Sequence, residues 1–146
     1  MTTLVTGGAG YIGSHMVHAL ADAGERVVVL DNLTTGFDWS VPPDVPLVVG
    51  DTGDQARVAA LLAEHRVDAI IHFAASIVVP DSVRDPLGYY RNNTANSRAL
   101  IETAVKHGVS ISSSPRPPRS TAIPSACRWA RTIARRRRRR TGRPSS

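Results

Sequence analysis

The sequence predicts an α/β chain built on a doubly wound parallel sheet, and three observations carry that prediction. Short apolar runs alternate with helix-period segments through residues 1–109. A glycine turn joins the first apolar run to the first helical segment. An acid, Asp31, closes the second apolar run.

Residues 4–6 read as a buried strand running into glycines. A helix over residues 11–23 follows, with Ile12, Met16, Ala19, Leu20 and Ala23 expected on its buried face and Gly24 as its C-terminal stop. Residues 26–30 contain Val27-Val28-Val29-Leu30, the continuous apolar pattern of a strand covered on both faces. Residues 32–45, with Gly36, Pro42 and Pro43, read as a loop, and residues 47–49 as a third strand. Asp54 caps a helix expected to about residue 65, with Val58, Leu61 and Leu62 at helical spacing. Residues 67–73 make a fourth strand, and residues 80–88, with Pro80 and Pro86, a loop. A long helix is expected over residues 89–107, closed by Gly108. Right-handed crossovers give the strand order 3-2-1-4. A further strand should follow. The serine-rich stretch from Ser110 to Pro115 starts like one and fails at once, so the sheet is expected to be truncated after about four strands.

The net charge of +6 describes neither half of the chain. Residues 1–109 hold all 12 acidic residues against 7 basic ones, a balance of −5. Residues 110–146 hold 11 arginines and no acid, a balance of +11. That segment has no Leu, Val, Phe or Tyr and half of the 10 prolines. It offers too little apolar surface to offset its ordering entropy and is expected to be a disordered basic tail. Its arginines would hold nucleic acid nonspecifically and with strong salt dependence, since Trp129 is its only aromatic residue. Out-of-frame translation is the expected origin of its composition. GC-rich codons chosen for Ile111 onward also encode, in another frame, Leu-Ile-Phe-Ser-Ser-Thr-Ala-Ala-Val-Tyr-Gly-Asp-Pro, an apolar strand followed by a serine motif. The lone cysteine, Cys127, excludes an internal disulfide. No basic segment precedes the first apolar run, and none of the apolar runs approaches the ~20 residues that cross a bilayer. A cytoplasmic setting is expected.

The glycine turn is the informative motif. In Thr6-Gly7-Gly8-Ala9-Gly10-Tyr11-Ile12-Gly13, the spacing G-x-x-G-x-x-G falls between a strand and a helix. Gly7 permits a tight turn, Gly10 lets the backbone approach a pyrophosphate, and Gly13 lets helix and strand pack closely. The helix start then offers free N–H groups and the positive end of its dipole to phosphates. Asp31, 18 residues beyond Gly13, can accept hydrogen bonds from ribose hydroxyls and repels a 2′-phosphate. The expected ligand is therefore NAD in preference to NADP. The competing reading is an ordinary tight turn with Asp31 capping a loop.

Five stretches carry a family resemblance: TGGAGYIGSH at residues 6–15, DNL at 31–33, Gly50-Asp51, HFAA at 72–75 and DSVRDPLGYYRNN at 81–93. Residues 1–109 resemble the UDP-glucose 4-epimerase branch of the extended short-chain dehydrogenase/reductases. The glycine turn is common to the extended family, including sugar-nucleotide dehydratases, which remain the alternative within it. The 81–93 stretch is more specific to the epimerase branch. The resemblance implies a Rossmann-type NAD-binding half, with Tyr11 and Ile12 on the pyrophosphate, and Asp31 and Asn32 on the adenine ribose beside Gly36. It further implies Asp51 and Thr52 at the adenine edge, Phe73, Ala74 and Ala75 lining the cofactor, and Asn92 reaching toward it. His15 and His72 receive no role. Ile77 departs from the pattern, where many epimerases have lysine, and so does Thr94-Ala95.

A full-length member, by the same resemblance, would bind a UDP-sugar, act as a homodimer, and interconvert UDP-glucose and UDP-galactose through a 4-keto intermediate. That chemistry uses a tyrosine base with a lysine four residues on. Here Tyr11 is followed at that spacing by His15, Tyr89 by Asn93 and Tyr90 by Thr94, and the only lysine is Lys106. The expectation is a cofactor-binding fragment with no catalytic residues of its own.

Overall fold

The computed structural model describes residues 1–112. The expectations of a disordered or out-of-frame tail, with Cys127, Trp129 and all 11 tail arginines, lie outside those residues from 113 onward.

Five parallel strands form one sheet in the order β3-β2-β1-β4-β5, where β1 is Thr2–Thr6, β2 Arg26–Asp31, β3 Leu47–Val49, β4 Ala69–His72 and β5 Ser110–Ser112. The expected order 3-2-1-4 is present, and a fifth strand extends it. Leu4 stands between Val28 and Ile70 in the register. Successive side chains leave a strand on opposite faces. Leu4, Val28, Leu30 and Ile70 therefore meet Val58, Leu61 and Leu62 of helix α2 (Gln55–Glu64) and Leu100 and Ala104 of helix α5 (Asn96–Lys106). Val5, Val27 and Val29 meet Val17 of helix α1 (Tyr11–Asp22), with Ala9 and Val41. Both faces of the sheet are covered, as its unbroken valine run requires.

The truncation after four strands is corrected. Ser110, Ile111 and Ser112 pair with Ala69, Ile70 and Ile71, so β4 is not an open edge there. Ile111, the only apolar residue of the three, packs against the cluster around Leu4 and Ile70. Backbone pairing needs no apolar side chains, so composition hid the strand.

Three further differences have local causes. The proline-containing loop is helical: α3 spans Val79–Arg84 and α4 Pro86–Tyr90. Proline lacks only an N–H that a first helical turn leaves unpaired, so Pro80 and Pro86 begin these helices instead of preventing them. Asp85 caps α4 by accepting from Gly88 N at 2.9 Å. The long helix expected from residue 89 thus begins at Pro86, passes through a wide π turn at Arg91–Ala95 and continues as α5. A short 3-10 turn, Asp38–Ser40, lies in the loop after β2. In α1, the buried face is Gly13 and Val17, with Met16 and Leu20 half-buried; Ile12, Ala19 and Ala23 are exposed. The side chain at Gly13 is absent, and there α1 approaches the turn most closely, which rotates the helix away from the face that hydropathy alone selects.

Asp54 caps α2 as expected, accepting from Arg57 N at 3.0 Å. Gly24 adopts φ +75° beyond the end of α1.

Ile70→Ala empties a fully buried position on β4, beside Leu4 of β1, and is expected to destabilise the chain by about 2–5 kcal/mol. Val49→Ala, at the outer strand and 52% exposed, should cost about 0.5 kcal/mol or less. Urea titrations followed by circular dichroism measure both; equal losses would contradict this sheet order.

Candidate functional site

The glycine turn leaves β1 at Thr6 and reverses at Gly7, where φ is +71° and the N–H donates to Leu30 O at 2.9 Å. A Cβ on Gly7 would come within 2.6 Å of Ala74 N, so the turn lies directly on the chain leaving β4. A Cβ on Gly13 would overlap the Gly7 carbonyl oxygen, so α1 starts against the turn itself. Both positions need glycine for contact, and Gly7 also for its backbone angle. Gly10 closes the turn, its N–H donating to Gly7 O at 3.2 Å, and occupies the cap position of α1.

That cap has no side chain to satisfy the first helical amides, and the first turn of α1 carries no acid. The N–H groups of Tyr11, Ile12 and Gly13 are at helix positions that find no carbonyl four residues back. Tyr11 and Ile12 are 83% and 64% exposed, so the helix mouth is open. An uncapped, acid-free helix start with bare backbone beneath it is suited to an anion such as a pyrophosphate.

Asp31 stands at the end of β2 and is buried. Its Oδ2 accepts from Ala9 N at 2.9 Å and its Oδ1 from Leu33 N at 2.8 Å. The carboxylate therefore ties the glycine turn to the loop after β2, and each oxygen retains accepting capacity for a further donor. Ala9 O in turn accepts from Phe37 N at 3.0 Å and from Ser40 Oγ at 2.8 Å. Gly36 passes against Ala9 just before these two attachments. The neighbouring Asn32 accepts from Thr34 N at 3.1 Å within the loop.

The loop after β3 joins the same edge, with Gly50 N donating to Asp31 O at 3.0 Å. Asp51 is exposed; its Oδ1 accepts from Gly53 N and from Asn96 Nδ2, each at 2.7 Å. Thr52 is buried beside it. At the exit of β4, Phe73 N donates to Thr6 O at 2.9 Å, and Phe73 packs partly against the cluster around Val5. Ala74 is half-buried and Ala75 exposed. Asn92, on the π turn, donates to Ser76 Oγ at 2.7 Å. Its neighbour Asn93 holds the Ser76 backbone on both sides, accepting from its N–H at 2.7 Å and donating to its carbonyl at 2.8 Å.

The residues singled out in sequence thus gather at the carboxyl ends of β1, β2, β3 and β4. Between β1 and β4 the strand order changes direction, the position where open parallel sheets form a crevice. Ala9, Ser40, Ser76, Asn93 and Asn96 were not selected by sequence reasoning. Ala9 lies in the glycine turn and Asn93 in the 81–93 stretch, within reach of that reasoning; Ser40, Ser76 and Asn96 lie in no motif.

His72 has a structural setting, with Nδ1 2.7 Å from Thr6 Oγ1 and Nε2 2.9 Å from Ser97 Oγ. Burial lowers its pKa from the ordinary value of 6.5. His15 lies edge-on to Tyr11, ring centroids 4.9 Å apart.

These features define a Rossmann-type chain whose open edge is arranged around an uncapped helix start. The chain belongs to the NAD dependent epimerase/dehydratase family, whose model matches residues 3–131. It is 55% identical over 106 residues to the UDP-glucose 4-epimerase of Azospirillum brasilense, a match covering 73% of this chain and 30% of that protein. To the Lacticaseibacillus casei UDP-glucose 4-epimerase it is 46% identical over 109 residues, 75% of this chain and 33% of the relative. Among solved structures, the Thermus thermophilus UDP-glucose 4-epimerase complex with NAD superposes with a TM-score of 0.74 at 35% identity, covering 86% of this chain and 43% of that one. The Brucella ovis UDP-glucose 4-epimerase in complex with NAD gives 0.71 at 40% identity, covering 86% and 40%. The chain thus spans about a third of the length of these curated relatives. No helix among the described residues is long and apolar enough to cross a membrane.

Because the folded chain favours neutral His72, stability should be full above the ordinary histidine pKa of about 6.5 and should decline as pH falls through and below it. Thermal unfolding between pH 8 and pH 5, compared with His72→Gln, checks this. The substituted chain should show a flatter profile; parallel profiles would refute the assignment.

Proposed function

We propose that this chain is the NAD-binding piece of a UDP-glucose 4-epimerase-like enzyme and does not turn over sugar nucleotides by itself. The uncapped start of α1, set beside the buried Asp31 by the Ala9 hydrogen bond, carries the reading. The pyrophosphate rests on the Tyr11 and Ile12 amides, where Gly7, Gly10 and Gly13 leave room for it. The adenosine ribose is held by Asp31 and Asn32 near Gly36, and the adenine edge by Asp51 and Thr52. Phe73, Ala74 and Ala75 line the far side, with Asn92 approaching from the π turn. Asp31, through the negative charge on its oxygens, disfavours a 2′-phosphate.

When bound, NAD supplies a hydride acceptor that can return what it takes. The residues that would move the sugar's proton are a different matter. None of the three tyrosines has a lysine four residues on, so this chain offers no tyrosine whose pKa a lysine would lower in that arrangement. Interconversion of UDP-glucose and UDP-galactose, the sugar nucleotide itself, the homodimer and a cytoplasmic role in galactose metabolism belong to the longer enzyme in this reading. The arginine-rich residues, whose composition an out-of-frame reading explains, add only nonspecific attraction for polyanions.

Calorimetric titration with NAD and NADP tests the cofactor assignment. NAD should bind at least about tenfold more tightly, a difference of about 1.4 kcal/mol. Asp31→Asn should narrow that ratio. Absence of NAD binding, or an equal preference for NADP, would sink the assignment. A coupled epimerase assay should show no turnover above background; sustained turnover would overturn the reading of the missing tyrosine–lysine pair.

A further inference from the structure

Asp51 is held by a residue far from it in the chain. Asn96, in the first turn of α5, donates from Nδ2 to Asp51 Oδ1 at 2.7 Å across 45 positions. Gly53 N donates to the same oxygen at 2.7 Å. The Asp51 carbonyl accepts from Asp54 N at 3.2 Å. One carboxylate oxygen is thereby doubly engaged, while Oδ2 has no hydrogen-bond partner among the described residues. The fit is close: a Cβ on Gly53 would fall 2.5 Å from Asn96 Oδ1, so the amide occupies the space that any other residue at position 53 would fill.

We propose that Asn96 is a positioning residue that turns the free Oδ2 of Asp51 toward the base of the bound dinucleotide and so selects adenine. The proposal rests on the reading of Asp51 as an adenine contact. An aspartate in the open has two equivalent oxygens and rotates freely about its side-chain bonds. Asn96 and Gly53 N, by taking one oxygen, leave the other as an acceptor of fixed direction. A fixed carboxylate acceptor suits the exocyclic amino group of adenine, which donates. The 6-oxo group of hypoxanthine accepts and would face the carboxylate with no proton between them. Selectivity of this kind depends on how firmly the acceptor is held, because a mobile carboxylate swings aside at little cost.

A second attachment between the same elements separates positioning from packing. Gln55 Nε2 donates to Ala99 O at 3.3 Å, joining the start of α2 to α5 without touching Asp51.

The experiment measures dissociation constants of the full chain for NAD and for nicotinamide hypoxanthine dinucleotide, in the unaltered protein, in Asn96→Ala and in Gln55→Ala. The ratio of the two constants within one preparation does not depend on the fraction folded. The unaltered chain should prefer NAD by about tenfold or more, the size of one lost hydrogen bond with an unpaired acceptor. Asn96→Ala should reduce the ratio to within about threefold of unity. Gln55→Ala should leave it unchanged, whatever its effect on stability. NAD binding with an unaltered ratio in Asn96→Ala, or equal loss in Gln55→Ala, overturns the proposal and leaves the cofactor reading standing. Failure of the unaltered chain to bind NAD overturns both.

Discussion

The hydrogen bond from Ala9 N to the Asp31 carboxylate is the contact on which the open edge of this sheet depends. A buried carboxylate is costly unless its oxygens are satisfied, and here both accept from backbone amides, Ala9 on one side and Leu33 on the other. Ala9 then binds the following loop through its carbonyl, to Phe37 N and Ser40 Oγ. One alanine without a hydrogen-bonding side chain thus carries three attachments through its backbone. The glycine turn, the end of β2 and the loop beyond it form a single unit as a result. The acid that the motif assigns to a ribose is also the acid that builds the turn the phosphates would meet.

The rest of the sheet supports that unit. β1 is the central strand, and its neighbours β2 and β4 approach the turn from either side through Leu30 O and Ala74. Gly7 and Gly13 remove the two side chains that would hold these backbones apart. The start of α1 therefore lies at the carboxyl ends of the strands with its amides uncovered. A macrodipole is useful only where its end is accessible and uncompensated, and both conditions hold. On the β4 side, His72 bridges Thr6 and Ser97 and links β1, β4 and α5. Its burial gives this bridge a pH limit.

The fifth strand changes how the edge of the sheet is understood. Three residues, two of them serines, pair with β4 and cover its apolar middle. The fold over the described residues is thus the matching portion of proteins about three times longer. Cofactor binding and sugar chemistry are carried by different parts of such proteins in the proposed reading. The separation is physically reasonable because the dinucleotide contacts proposed above come from strand ends and turns within residues 1–93.

The alternation of apolar runs, the glycine spacing, the acid after β2 and the Asp54 cap were all legible in the sequence, because each depends on local periodicity or on one residue's backbone preference. The choice of Asp31, Asp51 and the β4 exit as members of one edge was also legible, through strand order and family resemblance. The face of α1 was not, because the close approach at Gly13 outweighs hydropathy in setting the helix's rotation. Neither were α3 and α4, because a proline that starts a helix and one that interrupts it look alike until the cap at Asp85 is seen. β5 escaped because its stabilising bonds are backbone bonds to a strand 41 positions earlier in the register. The Asn96–Asp51 and Asn93–Ser76 pairs likewise join distant positions. What the chain determines by itself is where the strongly periodic strands and helices form and which turn has the bare backbone that suits a phosphate. What only the tertiary structure decides is which polar side chains across long separations hold those elements in place, because such bonds depend on distance in space and leave no period along the chain.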